Sequence, residues 1–564
     1  PRRPGRPRIS SGHLGGETAP ASEEAELLEI PWAVRWLVPQ GERFANYDVV
    51  NDNDSQLEYA SRYGPIYAVG IPTKKWRLVM VSDPDLLDEV ADDADQFGKR
   101  VEDINFFDQL AGPRADGISE IGDGEHYDRV RRVMLPWYAP ANQKTQFGRM
   151  KAVAAQMLAA WEQVPEDEPV DLRDWMTRYA LEISGRGACN YDFGTMKGGK
   201  QLPALATAVI ESTRESIARI AESRPDFTIF SGLKKRRRKR LYHKHNARLY
   251  ESTQMLVGGR IGTCPVGEQN DLLSRLVTTP DPDTETLLDV RTVRDQILMH
   301  FSNGFNGPAI IGAWLPYVIS QHPEVEERLI AEIDSVTRGN PDYDLPYKDL
   351  MAMPYATQVI KETLRIYPPM PVTIRRSLKD GPLGGYRIRK DDIILVGSLA
   401  AHRDPRYWGE RPDQFDPDHF SMERVVERPR HAFIPFSVGV RQCMAQEVTF
   451  MTLRIALFSI YNRYRLSLAP GESVVKNTVA TTKSGPVRML RSTREGREER
   501  EAAVATRRQK AQERGESNVD RSWDRPSEIP EASTFGHLVI AYGSNFGTCK
   551  DLAERFAERS HIFG

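Results

Sequence analysis

The sequence has few cysteines, and this scarcity excludes several classes of protein. The 564 residues contain four of them, Cys189, Cys264, Cys443 and Cys549, and no two form a C-x-x-C pair. Neither a disulfide framework nor a structural zinc site is therefore expected. This cysteine usage is typical of a reducing compartment, so we expect a cytoplasmic protein.

Long apolar runs and an excess of one charge are also absent. No apolar stretch reaches the length of about 18 residues that a membrane span needs, so no span is expected. The first residues lack the apolar segment of a signal peptide, and we expect none. The net charge is −2, which argues against a general attraction to nucleic acid, so no nucleic-acid partner is expected.

Composition divides the chain into four parts, because 564 residues exceed what one compact core accommodates. Residues 1–25 are rich in Pro, Gly and Arg, which predicts a disordered tail. Residues 26–490 show mostly helical patterns with short strands between them. Residues 491–534 are charged and have almost no large apolar side chains, which predicts a linker. Residues 535–564 return to a buried strand, a glycine turn and a helix.

Local patterns within the second part predict particular elements. A hairpin is indicated by YGPIYAVGI and KWRLVMVSDP, and a helix behind an aspartate cap by DPDLLDEVADDADQF. The segment HPEVEERLIAEIDS predicts a helix with proline in its first turn. Residues 287–320 have the pattern of one long buried helix. Its middle nevertheless contains Gly304, Gly307 and Pro308, and an interior proline costs about 3 kcal/mol or more.

The strongest chemical signal is the stretch HAFIPFSVGVRQCMAQ. A lone cysteine is usually a small buried apolar residue. Here, however, Phe436, Gly439, Arg441 and Cys443 match Phe-x-x-Gly-x-Arg-x-Cys, and the stretch resembles the haem-binding loop of cytochromes P450. The resemblance implies that Cys443 provides an axial thiolate to the iron of haem b. It also implies that Phe436 shields the sulfur, that N–H groups after Gly439 solvate it and that Arg441 pairs with a propionate. Ala445 replaces the glycine that the family commonly has two residues after the cysteine.

A second match lies upstream in KETLRIYPPMP. Glu362 and Arg365 are three residues apart, so their side chains can meet on one helix face. The segment resembles the Glu-x-x-Arg core motif of the same family. The usual third member is an arginine, and His419 occupies its place in QFDPDHF.

Four further residues are candidates for the haem propionates. In GEHYDRVRRVMLP, Tyr127 and Arg131 stand where the family has Trp-x-x-x-Arg, and a phenol can still donate one hydrogen bond. Arg375 and His402 are the other candidates that the resemblance implies.

The C-terminal stretch LVIAYGSNFGTCKDLAERF resembles the FMN-phosphate loop of flavodoxin-like domains in diflavin reductases. The resemblance implies phosphate contacts at a helix N-terminus from Ser544, Asn545, Gly547 and Thr548. The order of parts is similar to self-sufficient fatty-acid-hydroxylase flavocytochromes, in which NADPH electrons pass through FAD and FMN to haem. The expected fold is thus a mainly α (α+β) cytochrome P450 domain, a linker and the first β-α unit of a flavodoxin-like α/β domain. The chain's own reductase domain is the implied partner.

The predicted long helix departs from the family's Ala-Gly-x-Asp/Glu-Thr-Thr. Asn306 replaces the carboxylate, and Gly307 and Pro308 replace the hydroxyls that normally relay protons. We expect the glycines to leave room for haem and ligand, and Ser302, Asn303 and Asn306 to carry protons or hold water. The resemblance implies oxygenation of an apolar or fatty-acid-like small molecule with O2. Isomerisation or dehydration of a hydroperoxide, ligand sensing and a purely structural kink remain open.

Two other features concern the substrate and the surface. Ser119 stands where fatty-acid hydroxylases often have a bulky Phe, while Lys74, Lys75 and Arg77 are either carboxylate anchors or exposed strand-edge charges. The basic run at 233–245 is either a solvated face or a patch for an anionic membrane surface or an anionic substrate. Peripheral membrane contact and a homodimer both remain open.

Overall fold

The computed structural model describes residues 27–30, 32–34, 55–70, 77–99, 117–197, 199, 201–221, 231–263, 271–477 and 481–494. The predicted tail, the predicted linker from 495 onward and the flavodoxin-like segment lie outside these residues. So do six residues singled out above: Lys74, Lys75, Ser544, Asn545, Gly547 and Thr548.

Helices dominate the described part of the chain. In chain order they are α1 (Ser55–Tyr63), α2 (Pro84–Asp92), α3 (Glu125–Met134), α4 (Pro140–Glu162), α5 (Leu172–Cys189), α6 (Ala204–Ala221), α7 (Ser231–Arg260), α8 (Leu272–Thr278), α9 (Val290–Asn303), α10 (Asn306–Ser320), α11 (Pro323–Thr337), α12 (Tyr347–Met351), α13 (Pro354–Ile366), α14 (Ser398–Ala401), α15 (Pro405–Trp408), α16 (Met422–Glu427) and α17 (Gln446–Tyr461).

The strands are short and form one larger sheet and three small ones. They are β1 (Trp32–Val34), β2 (Ile66–Gly70), β3 (Arg77–Val81), β4 (Phe97–Gly98), β5 (Val170–Asp171), β6 (Val372–Ser377), β7 (Gly381–Leu383), β8 (Tyr386–Ile388), β9 (Ile393–Gly397), β10 (Tyr464–Leu468), β11 (Lys476–Asn477), β12 (Lys483–Ser484) and β13 (Arg488–Thr493). The larger sheet has the order β1-β2-β3-β9-β6-β4, and the others are β10-β13-β5, β11-β12 and β7-β8. This mainly helical arrangement with a minor sheet component confirms the predicted fold class.

Several local predictions are confirmed. β2 and β3 pair antiparallel, with Ile66 opposite Val81, as the hairpin signal indicated. α2 begins behind Asp83, whose carboxylate accepts hydrogen bonds from the backbone N–H of Asp85 at 3.0 Å and of Leu86 at 3.4 Å. α11 carries Pro323 in its first turn. In each case a short stretch of sequence contains the whole signal.

The prediction of one helix over residues 287–320 was wrong at its centre. α9 ends at Asn303 and α10 begins at Asn306, with Gly304 and Phe305 between them. Pro308 is therefore the third residue of a new helix, where a backbone N–H has no intrahelical partner. The break removes most of the cost that an interior proline would impose. Gly304 and Phe305 keep right-handed helical φ and ψ angles, so α10 follows α9 without an extended linker between them.

α10 runs through the centre of the domain. It packs against α5, α13 and α17, and nearly all of its side chains after Gly307 are buried. At the far end of the domain, β13 continues through Thr493. Arg494 then donates hydrogen bonds to Asp334 at 2.6 Å and to the Tyr461 carbonyl at 3.1 Å. β13 thus runs past position 490 and completes the β10-β13-β5 sheet, while the expected domain boundary stays a prediction.

Candidate functional site

Cys443 lies at the end of a loop that closes on itself. Its backbone N–H donates to the Phe436 carbonyl at 3.0 Å, and the N–H of Gln442 donates to the Gly439 carbonyl at 3.0 Å. Gly439 has a φ of 65°, and a Cβ there would lie 2.6 Å from the carbonyl oxygen of Ala91 in α2. Only glycine fits this backbone conformation and this close approach. The loop therefore rests directly on α2.

The two described cysteines have opposite environments. Cys189 is buried, whereas Cys443 is accessible to solvent. Protein nevertheless surrounds Cys443 closely enough for burial to raise the pKa of its thiol, while the backbone N–H of Ala445 and the charge of Arg131 lower it. These last two groups favour a deprotonated sulfur, which is the form that binds metals. The Phe436 ring packs against Phe450 in α17, with ring centroids 5.7 Å apart.

Tyr127 on α3 supports the loop rather than reaching beyond it. Its hydroxyl donates to the carbonyl of Val440 at 2.8 Å. The guanidinium carbon of Arg441 lies 3.5 Å from the centre of the Tyr127 ring, which is a cation–π contact. A phenol has one proton to donate and the Val440 carbonyl receives it here, so the hydrogen bond from Tyr127 to a propionate stays a prediction. Arg131 Nη1 lies 3.5 Å from the same hydroxyl.

Three cations converge beside the loop. Arg441 Nε donates to Asp123 Oδ1 at 2.7 Å. Burial and the charges of Arg441 and Arg375 lower the pKa of Lys99 to about 8, although Glu120 and Asp123 oppose this. Burial and the charge of Arg441 likewise lower the pKa of Arg375 to about 10. Each positive charge thus makes the protonated form of the other two less favourable. A nearby anionic group would offset this repulsion. A pair of carboxylates such as those of haem fits this donor set.

Arg375 also fixes the loop. Its Nη2 donates to the Val438 carbonyl at 2.9 Å and approaches Ser437 Oγ at 3.3 Å. Ser437 has a φ of 67°, a left-handed conformation that non-glycine residues seldom adopt. The hydroxyl of Thr373 in β6 lies 2.9 Å from that of Ser437. β6 therefore holds the loop from one side while α2 and α3 hold it from the other.

Both ring nitrogens of His402 lie next to main-chain groups, and its contact with a propionate stays a prediction. His402 is fully buried. Its Nε2 accepts a hydrogen bond from the backbone N–H of Ile434 at 2.9 Å, and its Nδ1 lies 3.3 Å from the Arg365 carbonyl. Burial also holds the pKa of this imidazole well below its usual value, so the ring is neutral. Both ring nitrogens are thus engaged by main-chain groups of the core.

The Glu-x-x-Arg prediction is confirmed in geometry, including its substituted third member. Glu362 and Arg365 are completely buried and form two hydrogen bonds, of 2.6 and 2.7 Å. Arg365 also donates to the carbonyls of His402 and Gln414, each at 2.9 Å. His419 Nδ1 lies 3.2 Å from Glu362 Oε1. The imidazole thus takes the place of the family's arginine in this network.

The three residues predicted to carry protons or hold water, Ser302, Asn303 and Asn306, differ in where their side chains lie. Ser302 is completely buried and its hydroxyl donates a hydrogen bond to the Leu298 carbonyl at 3.0 Å, so its role as a proton carrier stays a prediction. Asn303 is exposed, with its Nδ2 2.7 Å from the sulfur of Met299. Asn306 is half-buried at the start of α10. Two carboxamides, and no hydroxyl from Ser302, are thus available at the break.

The two glycines of the break have different reasons to be glycine. A Cβ at Gly304 would lie 2.5 Å from the His300 carbonyl oxygen and 3.1 Å from Ser184 Oγ. A Cβ at Gly307 would meet no atom within 4 Å. Gly307 therefore borders open space, and the expectation that it makes room for haem and ligand stays a prediction. Gly304 instead allows α9 to approach α5.

Tyr138 and His300 form a buried pair that the sequence did not indicate. Tyr138 Oη lies 3.2 Å from His300 Nδ1, one turn before Gly304. Burial lowers the pKa of His300 to about 4, and burial together with the charge of Cys443 raises the pKa of Tyr138. The pair therefore connects the helix break with the neighbourhood of the cysteine. Ala445 packs against the same apolar cluster as Phe305, so loop and break border one site.

Two residues considered for the substrate have other partners. Arg77 is buried, and its Nε lies 2.8 Å from Asp392 while its Nη2 donates to the Arg387 carbonyl. It is neither an exposed edge charge nor a free anchor. Ser119 is exposed, and its carbonyl accepts a hydrogen bond from the ammonium of Lys99. Among the described helices, none is long and apolar enough to cross a bilayer.

Comparison with known proteins identifies the family. The family model described as Cytochrome P450 matches residues 31–488. A bifunctional cytochrome P450/NADPH–P450 reductase of Bacillus cereus is 24% identical over 518 residues, which is 90% of this chain and 46% of that protein. The cyclooctat-9-en-7-ol 5-monooxygenase of Streptomyces melanosporofaciens is 30% identical over 251 residues, covering 44% of this chain and 53% of the relative.

A solved structure shows the same fold. The haem domain of cytochrome P450DA has a TM-score of 0.73 at 23% identity, covering 83% of this chain and 98% of that one. The chain spans about half the length of the curated relatives that it matches, such as 46% of the Bacillus cereus protein. With a family model that covers most of its length, the chain belongs to the cytochrome P450 family.

Proposed function

We propose that this chain is the haem-binding part of a monooxygenase in which the Cys443 thiolate would hold the haem iron. The observation that carries the proposal is the loop itself, which presents one accessible cysteine beneath the N–H of Ala445 and near Arg131. When bound, haem supplies the activation of O2 for insertion of one oxygen atom into a substrate.

The residues beside the loop would hold the haem carboxylates. Lys99, Arg375 and Arg441 provide the positive charge, and a bound anion would offset the burial and the repulsion from Arg441 and Arg375 that lower the pKa of Lys99. Tyr127 keeps the Val440 carbonyl and the Arg441 side chain in position. We therefore assign Tyr127 a positioning role rather than a contact with the cofactor.

On the opposite side, Asn303 and Asn306 would order water at the break. A carboxamide cannot act as a general acid at neutral pH, but it donates and accepts hydrogen bonds and can orient a water chain. Asn303 is exposed, Asn306 is half-buried and Gly307 leaves space beside them. Protons would then arrive through water held by the two amides.

Electrons would come from NADPH through the FAD and FMN of a fused reductase. Two observations support this: the name of the Bacillus cereus relative, and the glycine-rich stretch with Ser544, Asn545, Gly547 and Thr548. The substrate would be an apolar or fatty-acid-like small molecule. The Streptomyces relative is, by its name, also a monooxygenase.

The test uses the intact protein that contains the reductase. NADPH consumption should rise when a candidate apolar substrate is added, and oxygen-18 from labelled O2 should enter the product. Substrate-independent NADPH consumption with no labelled product across a panel of fatty acids and cyclic alcohols would contradict the proposal.

A second candidate is a haem-thiolate isomerase or dehydratase of a hydroperoxide. It is favoured by the chemistry of the break, where Asn306, Gly307 and Pro308 offer no carboxyl or hydroxyl group and the Ser302 hydroxyl is bonded to Leu298. Such an enzyme would convert a fatty-acid hydroperoxide without any reductant. A ligand-binding sensor would neither convert the hydroperoxide nor consume NADPH in response to a substrate.

A further inference from the structure

The long helix α7 has one buried face and one strongly basic face. Its buried residues recur every three or four positions and pack toward α6 and α9. They are Tyr242, Asn246, Leu249, Thr253 and Val257. Among residues 236–260, the other side chains are exposed or half-buried.

Four cations lie on the opposite side of α7. Arg237, Arg240, Lys244 and Arg248 are spaced by three, four and four residues, so they follow one line along the helix. All four are exposed, and none has an ion-pair partner in the described part of the chain. By contrast, Arg238 points to the flank of the helix and lies 3.3 Å from Glu215. These four residues are called the basic face below.

Two apolar side chains accompany the basic face. Leu241 is 39% exposed and Met255 is 66% exposed, and both fall on the same arc of the helix. Cations attract anionic headgroups, and exposed apolar side chains gain by entering the boundary of the acyl region. Nucleic acid is a poorer match, because stacking needs a free aromatic face. The one exposed aromatic side chain on this helix, Tyr250, has the guanidinium of Arg294 4.1 Å from its ring centre.

The charge of the whole chain adds a constraint on orientation. The net charge is −2, so attraction to an anionic surface can only be local. Any approach to such a surface is therefore most favourable with α7 foremost. α7 packs on α9, the helix that ends at Asn303 beside the break.

We propose that the basic face of α7 docks this chain on an anionic lipid bilayer. The bound form lies on the surface, held by headgroup contacts of Arg237, Arg240, Lys244 and Arg248 and by shallow insertion of Leu241 and Met255. An apolar substrate dissolved in the bilayer would then be concentrated beside α7 and α9. That last consequence rests on the proposed function, whereas the docking itself does not.

Sedimentation with vesicles tests the docking without measuring activity. The intact chain should bind vesicles of phosphatidylcholine with about a third phosphatidylglycerol, and binding to pure phosphatidylcholine should be much weaker. Because each basic residue near anionic lipid contributes about fivefold to partitioning, changing all four residues of the basic face to Gln should reduce the partition coefficient at least a hundredfold. Raising the salt concentration should weaken wild-type binding, since these charges are exposed.

The matched control removes four exposed lysines elsewhere: Lys144→Gln, Lys348→Gln, Lys379→Gln and Lys390→Gln. This variant has the same net charge as the first and should retain most vesicle binding. Circular dichroism shows whether each variant is folded, and the salt and lipid dependence of the wild-type chain needs no variant. Equal binding losses in both variants, wild-type binding that ignores lipid charge, or binding to polyglutamate but not to vesicles would each overturn the proposal.

Discussion

The loop around Cys443 and the break at Gly304–Phe305 border one site but are built by different means. The loop is held by side chains from distant parts of the chain, namely the hydroxyl of Tyr127 on Val440 and the guanidinium of Arg375 on Val438. At the break, polar groups are satisfied by their own helix, as Ser302 is by the Leu298 carbonyl. The loop is thus fixed by long-range contacts. At the break, hydrogen bonding within the helix leaves few polar groups available for other partners.

The sharpest way to break the loop side is to remove the sulfur. Cys443→Ala or Cys443→Ser should abolish the long-wavelength band of the reduced carbon monoxide complex, because no thiolate remains to bind the iron. Absorbance difference spectra of the purified variants measure this. Cys189→Ala is the matched control, since Cys189 is buried and should leave the band unchanged. A band that persists in Cys443→Ala would refute the assignment of the ligand.

The support beneath the loop can be weakened without touching it. Glu362→Gln leaves Arg365 buried without its counter-charge, so unfolding in urea should show a loss of about 3–5 kcal/mol. Arg365 binds the His402 carbonyl and His402 binds Ile434, so the effect should reach the loop as lower haem retention. Asp418→Asn, which breaks the exposed pair with Arg328, is the control and should cost about 1 kcal/mol or less. Similar losses in both variants would contradict this view of the network.

The break side should respond differently at its two glycines. Gly304→Ala forces a Cβ against the His300 carbonyl and Ser184, which should destabilise the domain by about 1–3 kcal/mol. Gly307→Ala enters open space within a helix and should be neutral or stabilising by up to about 1 kcal/mol. Denaturant unfolding of the two variants measures the contrast. The distinction fails if the Gly307 variant proves the less stable of the two.

The smallest expected effect concerns proton delivery. Asn306→Ala should lower the fraction of NADPH electrons that reach product several-fold, with hydrogen peroxide released instead, while the carbon monoxide spectrum stays intact. Ser302→Ala is the matched control, because its hydroxyl is bonded to Leu298 and should not matter. Product and peroxide are quantified together with NADPH consumption. Unchanged coupling in Asn306→Ala would show that the bend at Gly307 and Pro308 is structural only.

Sequence reasoning succeeded where a signal is contained in a few neighbouring residues. Phe436 to Cys443 and the Glu362–Arg365 pair are local motifs, and the structure closes both as expected. The break was partly readable as well. Pro308 follows Asn306 by two residues, and a proline in the first turn of a helix is a recognised start signal.

Local sequence patterns gave no information where packing decides which partners each side chain meets. His402 has a suitable side chain for a propionate, yet burial and two main-chain partners engage both of its nitrogens. Tyr138 and His300 are 162 positions apart, and nothing local connects them. Likewise, the residues that flank Lys99 do not distinguish it from other lysines, and only the fold brings it near Arg375 and Arg441. These contacts depend on tertiary structure, which local patterns do not encode.

The contact between Glu362 and the segment around Asp416 also affects how fast a backbone amide in that segment exchanges its hydrogen with solvent. The Asp416 N–H donates to Glu362 Oε1 at 2.8 Å, and Arg365 binds the nearby Gln414 carbonyl. This segment lies partly at the surface, where amides commonly exchange with solvent through small local openings. Here such an opening would uncover an ion pair at the centre of the domain. The amide hydrogen of Asp416 should therefore exchange for deuterium only as fast as the whole domain unfolds. The exchange rate of this peripheral residue would then report the unfolding of the core.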